Sequence, residues 1–123
     1  MNQYFRVDLP PEVAIECAKH PNIVGMKESG GDVTKIGMIM SATKNNHLNF
    51  CVLAGATTFL LPSSQVGSNG AVCGLGNMIP DECCKLQELI GNRCTCNVKP
   101  LNLFIFVKTI MNFNKIRQLN LSF

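Results

Sequence analysis

The sequence has few of the residue patterns from which metal and nucleotide sites are built. It contains only two histidines, His20 and His47, and both lie far along the chain from Cys94-Thr-Cys96. That cysteine pair has no second Cys/His pair at zinc spacing, so we expect no metal site. The lysine-containing phosphate loop is absent, and Gly74-Leu75-Gly76 lacks both the third glycine and the acidic residue of a dinucleotide site. We therefore expect no cofactor.

Long apolar runs and concentrated charge are also missing. No apolar stretch reaches the ~20 residues that a membrane helix needs, so we expect no membrane partner. The formal net charge of +3 is uneven, because residues 1–90 carry −2 while residues 91–123, with five basic residues and no acid, carry +5. This basic excess is too diffuse for a nucleic-acid patch. We expect no nucleic-acid partner.

Cysteine is plentiful, but its placement does not predict a disulfide framework. The count of seven is odd, and no secretory signal is recognised at the start of the sequence. Most of the cysteines lie within apolar runs, where a free thiol behaves as a small hydrophobic group. The pattern predicts free thiols in a reducing intracellular compartment. The cysteines in apolar runs are Cys17, Cys51, Cys73, Cys83 and Cys84.

Helix and strand signals alternate along the first 91 residues. Near-continuous apolar strands joined by helices are typical of a parallel sheet, so the predicted fold class is α/β. Ligands of such sheets bind at the carboxyl ends of the strands. The character of the chain changes after Gly91, and residues 92–123 form a tail of unassigned structure. The predicted helices are 10–19, 32–40, 58–66 and 80–91, and the predicted strands are 23–27, 50–54 and 71–75.

A lysine ends the first of these apolar strands. Strand alternation places Gly25 and Lys27 on one face and Met26 on the other. One interpretation is a lysine whose ammonium reaches solvent at the strand end. The other is a partly desolvated amine that attacks a 2-oxo carbon, with the Ser29 hydroxyl and nearby backbone donors holding a carboxylate. Periodicity alone favours the first interpretation.

The segment HPNIVGMKESGGDVTKIG, residues 20–37, resembles the Schiff-base lysine segment of the dihydrodipicolinate synthase / N-acetylneuraminate lyase family of class I aldolases. The resemblance continues through VDLPPE before it and FCVLAGATTFLLPSSQVGSNGAVCGLGNMIP after it, and covers about residues 7–90. It implies a TIM (β/α)8 barrel, of which residues 1–91 form only the C-terminal portion, with about three parallel strands and their helices. The chain is thus expected to be a truncated form.

The same resemblance implies roles for individual residues. Lys27 would form the iminium, and Ser29 and Gly55 would contact the substrate. The implied chemistry is reversible retro-aldol cleavage of a small 2-oxo acid. Within the family the sequence resembles the 4-hydroxy-2-oxoglutarate aldolases of animal mitochondria, which implies pyruvate and glyoxylate as products. It also implies a mitochondrial location, or otherwise a cytoplasmic one.

A second hypothesis follows from what the family has and this sequence lacks. The Thr-Thr motif that binds the substrate carboxylate is absent, and so is the proton-relaying tyrosine, a role that we do not assign to Tyr4. The alternative is therefore a catalytically inactive product that at most associates with full-length subunits. Because relatives are commonly tetramers, a homo-oligomer is also expected.

Overall fold

Strands and helices alternate along residues 8–92, the part of the chain that the computed structural model describes. The chain divides into two units, Met1–Cys73 and Gly74–Phe123. The predicted tail lies outside the described residues from position 93 onward, so the boundary at residue 91 stays a prediction. The elements are α1 (Pro11–Cys17), β1 (Gly25–Glu28), α2 (Val33–Asn45), β2 (Cys51–Ala54), a 3₁₀ turn (Thr57–Phe59), α3 (Leu60–Gln65), β3 (Gly70–Ala71), a second 3₁₀ turn (Gly74–Asn77) and α4 (Pro80–Gly91).

The three strands form one parallel sheet in the order β1-β2-β3. β1 pairs with β2 over its whole length, from Gly25↔Cys51 to Glu28↔Ala54. β3 adds two more pairs at the end of β2. The predicted α/β class, with three parallel strands connected by helices, is confirmed.

Helix α2 covers one face of this sheet. Asp32 caps its N-terminus, because the Asp32 Oδ1 accepts a hydrogen bond from the Lys35 N–H at 3.0 Å, as predicted. Ile36 and Ile39 lie on the inward stripe of the helix and are fully buried. They form the core of the first unit with residues in and next to α1, β1 and β2. Its members are Ala18, Ile36, Ile39, Phe50 and Val52, with Ala14, Ile15, Met26, Met40, Leu48 and Phe59 packed against them.

The packing of that core decides which way each strand residue points. Met26 packs against the cluster and Val52 is part of it, so α1 and α2 lie on their side of the sheet. Residues alternate along a strand, and paired residues of parallel strands point the same way. Lys27 and its partner Leu53 therefore lie on the opposite face.

Strand β3 is shorter than predicted. Residues 71–75 were expected to be extended, but the strand is limited to Gly70–Ala71 and a 3₁₀ turn begins at Gly74. β2 ends at Ala54, whose carbonyl accepts a last hydrogen bond from the Val72 N–H at 2.9 Å. Beyond that point β3 has no neighbouring strand of the described chain to pair with, and glycine adds no side chain that would pack on a sheet.

The second unit contains the predicted fourth helix. Pro80 occupies its first turn together with Asp81 and Glu82, where acidic side chains interact favourably with the helix dipole. Leu86 is fully buried on its inner side. No helix among residues 8–92 is long and apolar enough to span a membrane. No disulfide joins the cysteines in this range.

Two neighbouring positions of α2 should differ in how much a substitution lowers the free energy of unfolding, because their burial differs. Ile39 is fully buried, whereas Met38 is 49% exposed. We expect Ile39→Ala to lower the free energy of unfolding by about 2–5 kcal/mol, because it leaves a cavity in the core, and Met38→Ala to lower it by less than about 1 kcal/mol. Urea denaturation followed by circular dichroism measures both. Equal losses would contradict the packing described for α2.

Candidate active site

Lys27 lies near the carboxyl end of β1, on the face opposite α1 and α2. Its neighbours in the strand point the other way, since Met26 packs against the core and Glu28 is only 6% exposed. The Lys27 side chain itself is exposed. The helices of the first unit cover the other side of the sheet, so they do not shield the Lys27 side chain from water.

Ser29 and Gly55 meet where β1 and β2 end. The Gly55 N–H donates a hydrogen bond to the Glu28 carbonyl at 2.6 Å, which continues the β1–β2 ladder by one step. A Cβ at position 55 would lie 2.6 Å from the Ser29 Oγ and 2.7 Å from that carbonyl oxygen. Only a glycine fits this close approach. Ser29 and Gly55, the two residues expected to contact substrate, are thus in contact with each other. Ser29 follows Lys27 by two positions in the sequence.

The sequence interpretation missed Glu28. Its Oε2 lies 3.3 Å from the Lys35 Nζ of α2, and both side chains are 8% exposed. Its Oε1 accepts a hydrogen bond from the Gly30 N–H, so the same carboxylate holds the start of the β1–α2 loop. The alternation of side chains along the strand could have identified Glu28 as inward-facing, because it places Glu28 on the same face as Met26.

Asp8 is a second carboxylate partner of Lys35. The Lys35 Nζ also donates a hydrogen bond to the Asp8 Oδ1 at 2.9 Å, and the Asp8 side chain is 76% exposed. Burial alone would lower the pKa of Lys35, but the hydrogen bond to Asp8 and the charge of Glu28 outweigh it, so the pKa is raised. The hydrogen bond and the charge of Lys35 lower the pKa of Asp8. Lys35 therefore remains an ammonium at neutral pH.

No metal site is evident in this region. Among residues 8–92, no three His, Cys, Asp or Glu side chains are grouped so that they could hold an ion. The chemistry available at the strand end is that of the Lys27 amine and the Ser29 hydroxyl. An amine is suited to covalent capture of a carbonyl compound.

The fold and this strand end define an α/β protein with a lysine at the carboxyl end of a parallel strand. A structure from Thermus thermophilus, described as a dihydrodipicolinate synthase, matches with a TM-score of 0.81 at 23% identity, over 98% of this chain and 44% of that one. At that identity the match shows the fold. The chain has the α/β architecture of a partial (β/α)8 barrel.

The chain belongs to the dihydrodipicolinate synthetase family, whose sequence pattern matches residues 3–112. Two curated relatives are named 4-hydroxy-tetrahydrodipicolinate synthase. That of Methanoculleus marisnigri is 36% identical over 66% of this chain and 27% of its own length. That of Methanosarcina barkeri is 35% identical over 83% of this chain and 37% of its own length. The chain thus spans between 27% and 37% of the length of these relatives.

The contact between Ser29 and Gly55 predicts a position-specific effect of one methyl group. We expect Gly55→Ala to lower the free energy of unfolding by about 1–3 kcal/mol, because the new Cβ overlaps backbone atoms of β1. Gly76→Ala is the matched control, since a Cβ there has no atom within 4 Å. Denaturant unfolding compares the two variants. A Gly55→Ala variant as stable as the control would contradict the close approach of the strand ends.

The Asp8–Lys35 contact predicts a pH-dependent contribution to stability. The pKa of Asp8 is lowered in the folded chain, chiefly by its hydrogen bond to Lys35, so its stabilisation is present above its unfolded pKa. That stabilisation is lost as the pH falls through the folded pKa. We expect Asp8→Asn to be less stable than the wild type at pH 7, and the difference to shrink between about pH 5 and pH 2.

Urea titrations at each pH measure this difference. Glu16→Gln is the control, because the Glu16–Lys19 pair is exposed on the surface of α1, and such pairs contribute little. An Asp8→Asn deficit that stays constant or grows towards acid pH would show that the contact is not formed.

Proposed function

We propose that this chain carries the Schiff-base lysine of a class I aldolase that acts on 2-oxo acids. The observation that supports the proposal is the position of Lys27 at the carboxyl end of β1. Ser29, two residues later, contacts Gly55 at the end of the neighbouring strand. Ligands of parallel α/β sheets bind at this end. Membership of a family that contains lyases and aldolases supports the same chemistry.

In the proposed reaction the neutral amine of Lys27 attacks the C2 carbonyl of the substrate. Loss of one water gives an iminium, which accepts the electron pair of the C3–C4 bond as that bond breaks. The C4 hydroxyl gives its proton to water as the aldehyde leaves, and the resulting enamine takes a proton from water at C3. Addition of one water to the iminium then releases pyruvate and restores the amine. The Ser29 hydroxyl lies at the same strand end and is suited to donate a hydrogen bond to the substrate.

The substrate that we propose is 4-hydroxy-2-oxoglutarate, cleaved to pyruvate and glyoxylate, and the proposed location is mitochondrial. Both rest on the resemblance of residues 20–37 to the animal aldolases. The curated relatives carry the name of a different family activity. Cleavage of 4-hydroxy-2-oxoglutarate, followed by coupled detection of pyruvate, is therefore the assay that separates the two substrate assignments.

A second candidate function is association without catalysis. Lys27 is exposed, and Val72, next to the last ladder bond of β2, is 52% exposed. A face of this kind is suited to contact further chains of the family or a second copy of this one. The alternative predicts no turnover above background in the coupled assay, together with co-elution of this chain with full-length subunits.

The aldolase proposal predicts selective covalent capture at one lysine. Incubation with pyruvate and reduction with borohydride should label Lys27 ahead of Lys44 and Lys85, because Lys27 lies at the strand end where Ser29 contacts Gly55, whereas Lys44 and Lys85 lie on helices α2 and α4. Mass spectrometry of the digested chain locates the adduct, and Lys27→Arg is the control in which that labelled peptide disappears. Equal labelling of all three lysines would show that Lys27 is an ordinary strand-end lysine here.

A further inference from the structure

We infer that a cleft between α2 and the end of α3 binds a small carboxylate that has an apolar body. This α2–α3 cleft has a volume of about 400 Å³, and its lining residues come from the stretches 37–44 and 65–67. Small-molecule sites have volumes of roughly 300–1,000 Å³, so the cleft is large enough for such a ligand. The inference does not rest on the proposed aldolase function, because it concerns a different part of the fold.

The α2–α3 cleft lies away from the strand end that carries Lys27. Helix α2 follows β1 and leads to the start of β2, and α3 follows β2 and leads to the start of β3. Because the strands are parallel, the last turns of both helices lie at the end of the sheet where the strands begin. Lys27 lies near the carboxyl end of β1. A ligand of the cleft is therefore not the substrate of the proposed reaction.

The apolar part of the lining forms where two glycines let α2 approach the end of α3. A Cβ at Gly37 would lie 3.4 Å from the Val66 Cβ, and a Cβ at Gly67 would lie 3.6 Å from the Met40 Cβ. The Val66 and Met40 side chains thus each pack against backbone of the opposite segment. Val66 nevertheless remains 38% exposed, so apolar surface is available to a ligand.

Three polar side chains complete the lining, those of Ser41, Lys44 and Gln65. Among the described residues none of the three has a hydrogen bond or an ion pair. Neighbouring polar side chains differ, because the hydroxyls of Thr43 and Ser64 donate to carbonyls of their own helices. An ammonium, a hydroxyl and an amide that the described fold does not use therefore line one cleft.

Lys44 is the only charged residue of this lining, so the cleft favours an anion. The exposed lysines of α1 and α4, Lys19 and Lys85, each pair with a glutamate three residues away. Lys44 has no such partner in the described part of the chain. A basic residue in the last turn of a helix also interacts favourably with the helix dipole. That role alone requires neither the cleft nor its other polar groups, and it predicts no ligand.

The residue after the lining supplies a second observation. Ser68 directly follows Gly67, and its Oγ is buried without a hydrogen-bond partner in the part of the chain that the structure describes. Such a group is uncommon in folded proteins and costs free energy. The same segment thus has hydrogen-bonding capacity that the fold leaves unused. A carboxylate accepts several hydrogen bonds and matches this excess of donors, while an apolar body matches Met40 and Val66.

Octanoate is the probe, because it joins a carboxylate to an unbranched apolar chain. The isotope-labelled full chain is titrated with it, and the backbone amide shifts are followed by two-dimensional NMR. We expect saturable shifts centred on Gly37, Lys44 and Gly67, with a Kd on the order of 1 mM. Octanol lacks the charge and should bind about three- to ten-fold more weakly. Octylammonium reverses the charge and should bind more weakly than octanol.

Single substitutions separate the two parts of the site. Lys44→Met should weaken octanoate binding by about three- to ten-fold and leave octanol binding unchanged, because it removes the ammonium and keeps an apolar stem. Val66→Ser should weaken the binding of both probes, because it removes apolar lining. Lys85→Met is the matched control at an exposed helix lysine outside the cleft. That variant and Lys27→Arg should both bind octanoate as the wild type does.

Three results would overturn the inference. The first is a set of shifts that do not saturate or that centre elsewhere in the chain. The second is an octanoate affinity that Lys44→Met leaves unchanged, which would assign Lys44 to the helix end alone. The third is loss of octanoate binding in Lys27→Arg, which would place the carboxylate at the end of β1. None of them decides the aldolase proposal, because covalent labelling of Lys27 is measured separately.

Discussion

The close approach of β1 to β2 is the constraint on which the rest of the first unit depends. Glycine permits it at both ends of the pair. A Cβ at Gly25 would overlap the carbonyl oxygen of Cys51, and a Cβ at Gly55 would lie 2.6 Å from the Ser29 Oγ. With both strands in this register, Met26 and Val52 face the same core, while Lys27 is on the opposite face. Two residues without side chains thus permit the strand pairing in which Lys27 lies on the face away from the core.

The buried charges act on the same strand end from the side of α2. Lys35 lies in the first turn of that helix, where the Asp32 cap accepts its backbone N–H, and its ammonium reaches both Glu28 and Asp8. An uncompensated buried charge would destabilise the fold, so each member depends on the others for its place. The loop between β1 and α2 is therefore held at its start by Glu28 and at its end by Asp32.

Local signals were sufficient for much of this structure. The Asp32 cap, the apolar stripe of α2 and the apolar run of β2 are patterns within a few residues, and each forms as predicted. The first strand was predicted at 23–27 but runs over Gly25–Glu28, and Ile23 and Val24 before it are exposed. The length of β3 depends on where its neighbour ends, which no pattern in its own sequence records. The Glu28–Lys35 contact joins a strand to the following helix, and it requires the packed geometry to be known. The exposure of Lys27 likewise depends on what covers the sheet rather than on the strand itself.

The position of Lys27 and its environment therefore affect its chemistry in different ways. An amine attacks a carbonyl only in its neutral form, and a protein favours that form by burying the amine or by placing charge near it. The described chain provides the position, with Ser29 and Gly55 at the same strand end, but it leaves the side chain exposed to water. An apolar cover over that face would supply the missing environment, whether it came from further strands of a longer barrel or from another chain. Catalysis and association are thus linked hypotheses, because the surface that a partner would cover is the one from which Lys27 projects.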